Sequence, residues 1–221
     1  ALHYGPYIWG IAGIGLIGIV YGALVAMAQT DMKKLIAYSS VSHMGYCLIA
    51  MSALTPTGFN GAGLQMFNHG IITGALFMLV GVIYDRAHTR DLDAFGGISV
   101  RMPIYGGIML FTVMASLGLP GLSGFWAEFL CFLGTFETKP WIAAGALAGV
   151  VLTAAFLLMM YQKVFMGPLN EKWKGLEDLS LRELFCLVPL MVLMVAFGVY
   201  PTRLIGLMDA TLTALAESLA R

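Results

Sequence analysis

The chain has 221 residues, 59% of them hydrophobic and 11% charged, with a mean hydropathy of +0.85. That balance excludes an ordinary soluble domain and describes a membrane chain. Twelve Lys and Arg cancel twelve Asp and Glu, so nothing in the charge points to a nucleic-acid partner. Cys47, Cys131 and Cys186 each stand alone in an apolar run and read as small buried hydrophobes, not as a redox or zinc motif. The first apolar run begins almost at Ala1, with no basic leader and no small-residue cleavage site, as expected of a piece of something longer.

A hydrocarbon core of about 30 Å needs roughly 20 apolar residues in a helix. The runs that meet this lie at about 6–27, 34–54, 62–84, 103–136, 140–166 and 183–206. Turn and charge signals separate them: QTDMKK, TPTGFNG, DRAHTRDLDAFGGISVRMP, ETKP and GPLNEKWKGLEDLSLRE. The segment 167–182 reads as a surface connection. The fourth run is too long for one straight crossing, and GLPGLSG lies in its middle, where Pro120 removes a backbone donor. The spacing predicts two half-helices joined by a break. The tail 209–221 places Leu212, Leu215 and Leu219 on one face, which predicts an interfacial helix or one docked on a partner. The expected fold is therefore all-α: a polytopic membrane helix bundle of six spans, one of them discontinuous, over residues 1–208, followed by the tail helix.

Cytoplasmic connections collect Lys and Arg, which tests whether the broken run crosses once. If it does, Lys33, Lys34, Arg86, Arg90, Arg101, Lys163, Lys172, Lys174 and Arg182 share one side, and only Lys139, Arg203 and Arg221 the other. A re-entrant hairpin would split the same twelve residues evenly. The single crossing is favoured, with both termini on the outer side.

Non-helical backbone at membrane depth is tolerated where it is buried in protein or lines a hydrated cavity. Glu128 follows the break by two turns and lies about 12 Å below the outer loop, deeper than a carboxylate easily reaches water. An ionisable group there is a candidate site, here a proton carrier; the plain alternative is a glutamic acid that only bridges helices. His43 lies about 14 Å from Lys34 and His69 sits at similar depth in the third run. They are the only histidines inside expected spans, since His3 falls in a terminus and His88 in a loop. Histidine donates and accepts near physiological pH, so His69, His43 and Glu128 together suit a proton relay, although a lone intramembrane histidine is more often a helix-bridging partner. Tyr38, Ser39, Ser40, Ser42 and Tyr46 surround His43 in sequence with hydroxyls, and Gln65 and Asn68 flank His69. Metal-ligand spacing at i, i+3 or i+4 is missing. Gly18 with Gly22, Gly70 with Gly74 and Gly145 with Gly149 match GxxxG and predict close helix packing.

The segments AQTDMKKLIAYSSVSHMGY, QMFNHGIITGALFMLVGVIYDRAHTRDLDAFGGI and LGLPGLSGFWAEF, in this order, resemble the antiporter-like membrane subunits of respiratory complex I. The resemblance covers essentially the whole chain. It implies the last six of fourteen spans, with the broken one at 103–136, and a proton path whose residues fall on His43, His69 and the terminal Glu128. It also implies a proton-translocating subunit of an NADH:quinone oxidoreductase in a bacterial cell membrane or mitochondrial inner membrane. Its partners would be the other membrane-arm subunits and the lipid bilayer. The NADH, flavin, iron–sulfur clusters and quinone would belong to those partners, since no GxGxxG follows a strand here and there is no cysteine framework. The family's first half, with its own glutamate and lysines, has no counterpart in this chain, which would hold the exit half of the path alone. Subunits of multisubunit cation/proton antiporters and membrane-bound hydrogenases share the same residues and remain the alternative.

Overall fold

The computed structural model describes residues 5–220, so His3 and Arg221 lie outside the described residues. These form helices throughout; the only extended pairing among them is an isolated bridge between Asp31 and Asp91. The helices are α1 (Gly5–Met27), α2 (Met32–Ser52), α3 (Pro56–Ala87), α4 (Ile98–Arg101), α5 (Pro103–Ser116), α6 (Ser123–Thr138), α7 (Pro140–Phe165), α8 (Leu181–Val199) and α9 (Thr202–Ala220). Four of them, α1, α3, α7 and α8, are long and apolar enough to cross a membrane. Helix α2 falls outside that set because serines, tyrosines and His43 dilute its hydropathy, and α5 because it has 14 residues.

Local chemistry sets the ends of these helices. The Asp31 carboxylate accepts from Lys34 N at 3.1 Å and caps α2. Thr55 caps α3 and Pro56 takes its first turn, where a missing N–H costs little. Ser180 and Glu183 form a reciprocal capping box on α8. The apolar run at 103–136 is divided between α5 and α6. Residues 117–122 join them, with Gly118 at φ 71° and Gly121 at φ 94°, conformations that a side chain disfavours. The last apolar run stops at Val199 instead of continuing to 206. Pro201 disfavours the helical conformation at Tyr200, whose N–H closes on Ala196 O at 2.8 Å, and the tail helix starts at Thr202 instead of 209.

Helix α3 is the hub and packs against α2, α5, α6, α8 and α9. At one end of the bundle the two long connections interlock. Arg86 makes a bidentate pair with Glu183 at 2.7 and 2.8 Å and also donates to the Glu177 and Asp178 carbonyls. The Asp178 carboxylate accepts from Ile104 N and Tyr105 N at the start of α5. Trp173 is buried and donates to Ala94 O at 2.8 Å, so the connection at 167–180 is anchored and not merely draped on the surface.

Close helix approach depends on particular glycines. A Cβ on Gly22 would sit 2.9 Å from Ser42 N, and one on Gly149 would run into Ile19 and lie 2.6 Å from the Tyr46 hydroxyl. Gly145 packs on Leu16, and Gly18 meets its neighbour at ordinary contact distance. Gly70 and Gly74, with the same spacing, face open space. Replacing Gly149 with Leu is expected to destabilise the bundle by about 1–3 kcal/mol through overpacking, whereas Gly74→Ala leaves it unchanged or more stable by up to about 1 kcal/mol. Thermal aggregation midpoints of the detergent-extracted protein check this, and equal midpoints for the two variants would contradict it.

Candidate functional site

One face of α2 carries Ser39, Ser42, His43, Tyr46 and Ala50 into the bundle. The hydroxyls on this face are largely occupied by backbone: Ser39 and Ser40 donate to Ile36 O, and Ser42 donates to Ile19 O in α1 at 2.9 Å. Tyr38 is exposed. The polar cluster that the sequence suggests around His43 is therefore mostly helix-packing chemistry, and His43 finds its partners on other helices.

Those partners come from either side of the α5–α6 connection. Helix α6 buries Gly124, Glu128, Cys131 and Thr135, a stripe at helical spacing that faces α2 and α3. Glycines let it approach: Gly134 packs on the backbone of Gly58, and a Cβ on Gly61 would lie 2.6 Å from Cys131 N. The result places His43 Nδ1 3.2 Å from Glu128 Oε1, with the two residues only 3% and 9% exposed. The Ser116 hydroxyl, at the last position of α5, lies 3.3 Å from His43 Nε2. His69 from α3 stands beside this pair, its ring centroid 5.4 Å from that of His43, and Thr73 Oγ1 lies 3.2 Å from both of its ring nitrogens.

All three residues singled out from the sequence thus meet at one place. Gln65, Ile72 and Gly124 complete a cavity there of about 10 Å³, at the threshold of room for one water molecule. Asn68 donates to Ser123 O at 2.7 Å and ties α3 to the start of α6, while Asn68 Oδ1 and Ser123 Oγ have no protein partner. Among the described residues no group of three His, Cys, Asp or Glu side chains is gathered as metal ligands would be.

Two features, one in the site and one at the end of α2, were not visible in the sequence. One is Ser116, whose only signal was a hydroxyl two residues before a glycine in an apolar run. The other is Lys139, which reads as a membrane-edge residue. It is 6% exposed, and its ammonium donates to Ser52 O at 2.6 Å, pinning the α6–α7 junction to the end of α2.

Chemically, the arrangement is a carboxylate and an imidazole in hydrogen-bond contact inside an apolar bundle, with the ring of a second imidazole 5.4 Å from the first between centroids. The comparisons with known proteins show the family. Residues 6–162 match the family model described as NADH:quinone oxidoreductase/Mrp antiporter, TM, and the chain belongs to that family. It is 47% identical over 206 residues to NADH-quinone oxidoreductase subunit M of Rhodobacter capsulatus, covering 93% of this chain and 40% of that protein. It is 42% identical over 199 residues to the subunit M of Pseudomonas aeruginosa, covering 90% of this chain and 39% of the relative. Among solved structures it superposes on a chain of respiratory complex I from Thermus thermophilus with a TM-score of 0.89 at 32% identity, over 97% of this chain and 45% of that one. A chain of the Mrp complex from Dietzia shares the fold, with a TM-score of 0.87 at 20% identity over 96% of this chain and 48% of that one. The chain spans about 40% of the length of the curated relatives it matches.

Gly118 brings the connection against the carboxylate: at φ 71°, a Cβ there would lie 3.2 Å from Glu128 Oε2. Gly118→Ala is expected to destabilise the protein by about 1–2 kcal/mol from the left-handed backbone alone, while Gly107→Ala in α5, where a Cβ meets nothing, is neutral or slightly stabilising. Thermal midpoints of the two variants measure the difference, and a Gly118→Ala midpoint as high as that of Gly107→Ala would refute it.

Proposed function

We propose that this chain belongs to a proton-translocating membrane-arm subunit of an NADH:quinone oxidoreductase and holds the outer, exit half of its proton path. The observation that carries this is the buried contact between His43 and Glu128 at 3.2 Å, with His69 alongside, in a member of a family whose curated relatives carry that name. In this reading α2 crosses the membrane as well, its polar face turned into the bundle, and α5 and α6 make one interrupted crossing. That gives six spans with both termini outside and the tail α9 at the outer interface. The electrons, NADH, flavin, clusters and quinone are handled by partner subunits, and their redox energy reaches this chain as a change in the charges around the site.

The geometry suggests how a proton would move. With His43 neutral and protonated on Nδ1, it donates to an ionised Glu128. A proton arriving from the His69 side at Nε2 makes the imidazolium, and transfer across the Nδ1–Oε1 contact leaves a neutral imidazole and a protonated carboxyl. The ring separation of 5.4 Å from His69 requires either a side-chain swing or one bridging water for the first of these steps. Glu128 then releases outward when the field around it changes.

The identity to subunit M relatives supports an oxidoreductase subunit over the cation/proton antiporter alternative, whose Mrp neighbour supports only the fold. Quinone-linked proton uptake in membrane vesicles, measured in the intact complex with assembly checked, tests the role of Glu128. Glu128→Gln keeps shape and hydrogen bonding but loses the titratable proton, and is expected to lower pumping at least tenfold, a loss of the size associated with removing a proton-transfer group. Full pumping with normal assembly would reduce Glu128 to a helix bridge. Pumping that depends on sodium would favour the antiporter alternative.

A further inference from the structure

We infer that Ser116 is a positioning residue of the relay: its hydroxyl holds His43 Nε2 in both charge states of the ring and ties them to the α5–α6 connection. The inference deepens the reading of His43 and Glu128 as a proton path and rests on it.

The geometry supplies the argument. His43 has two ring nitrogens and one polar protein partner for each: Glu128 Oε1 at 3.2 Å on Nδ1 and Ser116 Oγ at 3.3 Å on Nε2. Glu128 can serve Nδ1 in every protonation state, as an acceptor when ionised and as either donor or acceptor when protonated. Nε2 is the harder case. It is a bare acceptor in the neutral Nδ1–H tautomer and a donor in the imidazolium, so its partner must be able to reverse its role. A hydroxyl does this by rotating about one bond; an ammonium, a backbone N–H or a carbonyl cannot. Ser116 is 6% exposed and His43 only 3%, so bulk water does not readily replace the hydroxyl, and the hydrogen bonds assigned to Ser116 Oγ include no other partner.

The position of Ser116 matters as much as its chemistry. It is the last residue of α5, two residues before the left-handed Gly118 that packs on Glu128 Oε2. Gly124, at the start of α6, packs against the Ala115 carbonyl. The connection therefore touches both members of the pair, the imidazole through Ser116 and the carboxylate through Gly118. Thr73 gives His69 a hydroxyl too, but from the same helix one turn on, so it moves with its histidine and reports nothing to another element.

The titratable groups around His43 are few. Glu128 and, a turn further on, Cys131 come from α6, His69 comes from α3, and Tyr46 and Cys47 lie on α2 itself. Helix α5 has no titratable residue within two turns of Ser116, and α1 has only the exposed Tyr7 and Tyr21. A pH shift caused by altering Ser116 would accordingly be read through His43 and Glu128.

The experiment is the pH profile of quinone-linked proton pumping in vesicles of the intact complex, for wild type, Ser116→Ala, Ser116→Cys and Ser116→Thr, with Glu128→Gln run alongside. A hydrogen bond to the imidazolium is charge-assisted and stronger than one to the neutral ring, so its loss makes protonation harder. The alkaline limb of the profile should then move to lower pH by about half a unit or more in Ser116→Ala. Ser116→Thr, which keeps the hydroxyl, should hold the wild-type limb. If Ser116→Ala fails to assemble, Ser116→Cys keeps the side-chain size with a weak hydrogen-bonding group and is expected to show the same displacement. A wild-type limb in the assembled Ala or Cys variant, or a Thr limb displaced as far as that of Ala, overturns the assignment. If Glu128→Gln pumps normally, the relay itself falls and Ser116 with it; if Glu128→Gln stops pumping while Ser116→Ala keeps the wild-type profile, only the role of Ser116 falls.

Discussion

A carboxylate held inside an apolar helix bundle needs a partner, and the 3.2 Å contact between Glu128 and His43 is the constraint around which the neighbouring elements are arranged. Left alone, an ionised carboxylate at this depth would be unfavourable by many kcal/mol, and the group would neutralise or unfold its surroundings. Against an imidazole the same carboxylate can be held either as an ion pair or as a neutral hydrogen-bonded pair, which differ by the position of one proton. The contact that makes burial tolerable is therefore also the one across which the proposed transfer would take place. Structural support and the proposed proton transfer would share the same atoms, which is why deleting the side chain is uninformative and an amide replacement that keeps its shape is the sharper probe.

Reaching that contact requires four helices to approach in pairs more closely than side chains normally allow. Gly134 on Gly58 and Gly61 on Cys131 draw α6 onto α3, while Gly15 and Gly45 bring α1 onto α2. The connection between α5 and α6 uses two left-handed glycines to turn the chain where a continuous helix would have carried Glu128 past His43. Neither device stabilises the fold through its own side chain. Each gains stability only because backbone and apolar side chains then pack without gaps, so a single added methylene at these positions is felt across two helices.

Much of this was legible in the sequence, for physical reasons that also explain what was missed. Apolar runs long enough to span a bilayer leave an unmistakable trace, and helices form over most of their lengths. His43, His69 and Glu128 stood out because ionisable groups are rare in such runs. Helix ends were less legible: the run at 183–206 looked continuous because Tyr200 and Pro201 are not polar, yet the proline stops the helix at Val199. The glycine spacing of Gly70 and Gly74 matches that of Gly145 and Gly149, but spacing cannot say which face of a helix is covered. Lys139 reads as an edge residue because the sequence shows its place along a helix and not the Ser52 carbonyl that receives it. Ser116 was missed for the same reason: its partner is 73 positions away, and one serine among many carries no signal until the chain is folded.

The hydroxyls and carboxylate around the two histidines share one property that a rigid donor or acceptor lacks. Each can reverse the direction of its hydrogen bond, by rotation for Ser116 and Thr73 and by protonation for Glu128. A buried site furnished only with fixed donors would favour one protonation state of each ring and resist the other, which suits a structural bridge but not a carrier that must pass through both. The same reversibility lowers the reorganisation needed when a proton crosses between His43 and Glu128, because for that step neither partner of the ring has to leave. A helix-bridging role would be served equally well by an amide or a backbone carbonyl at those positions. The choice of reversible partners on both nitrogens of His43 therefore favours a ring that changes charge in place, with the surrounding backbone held still by the glycine contacts described above.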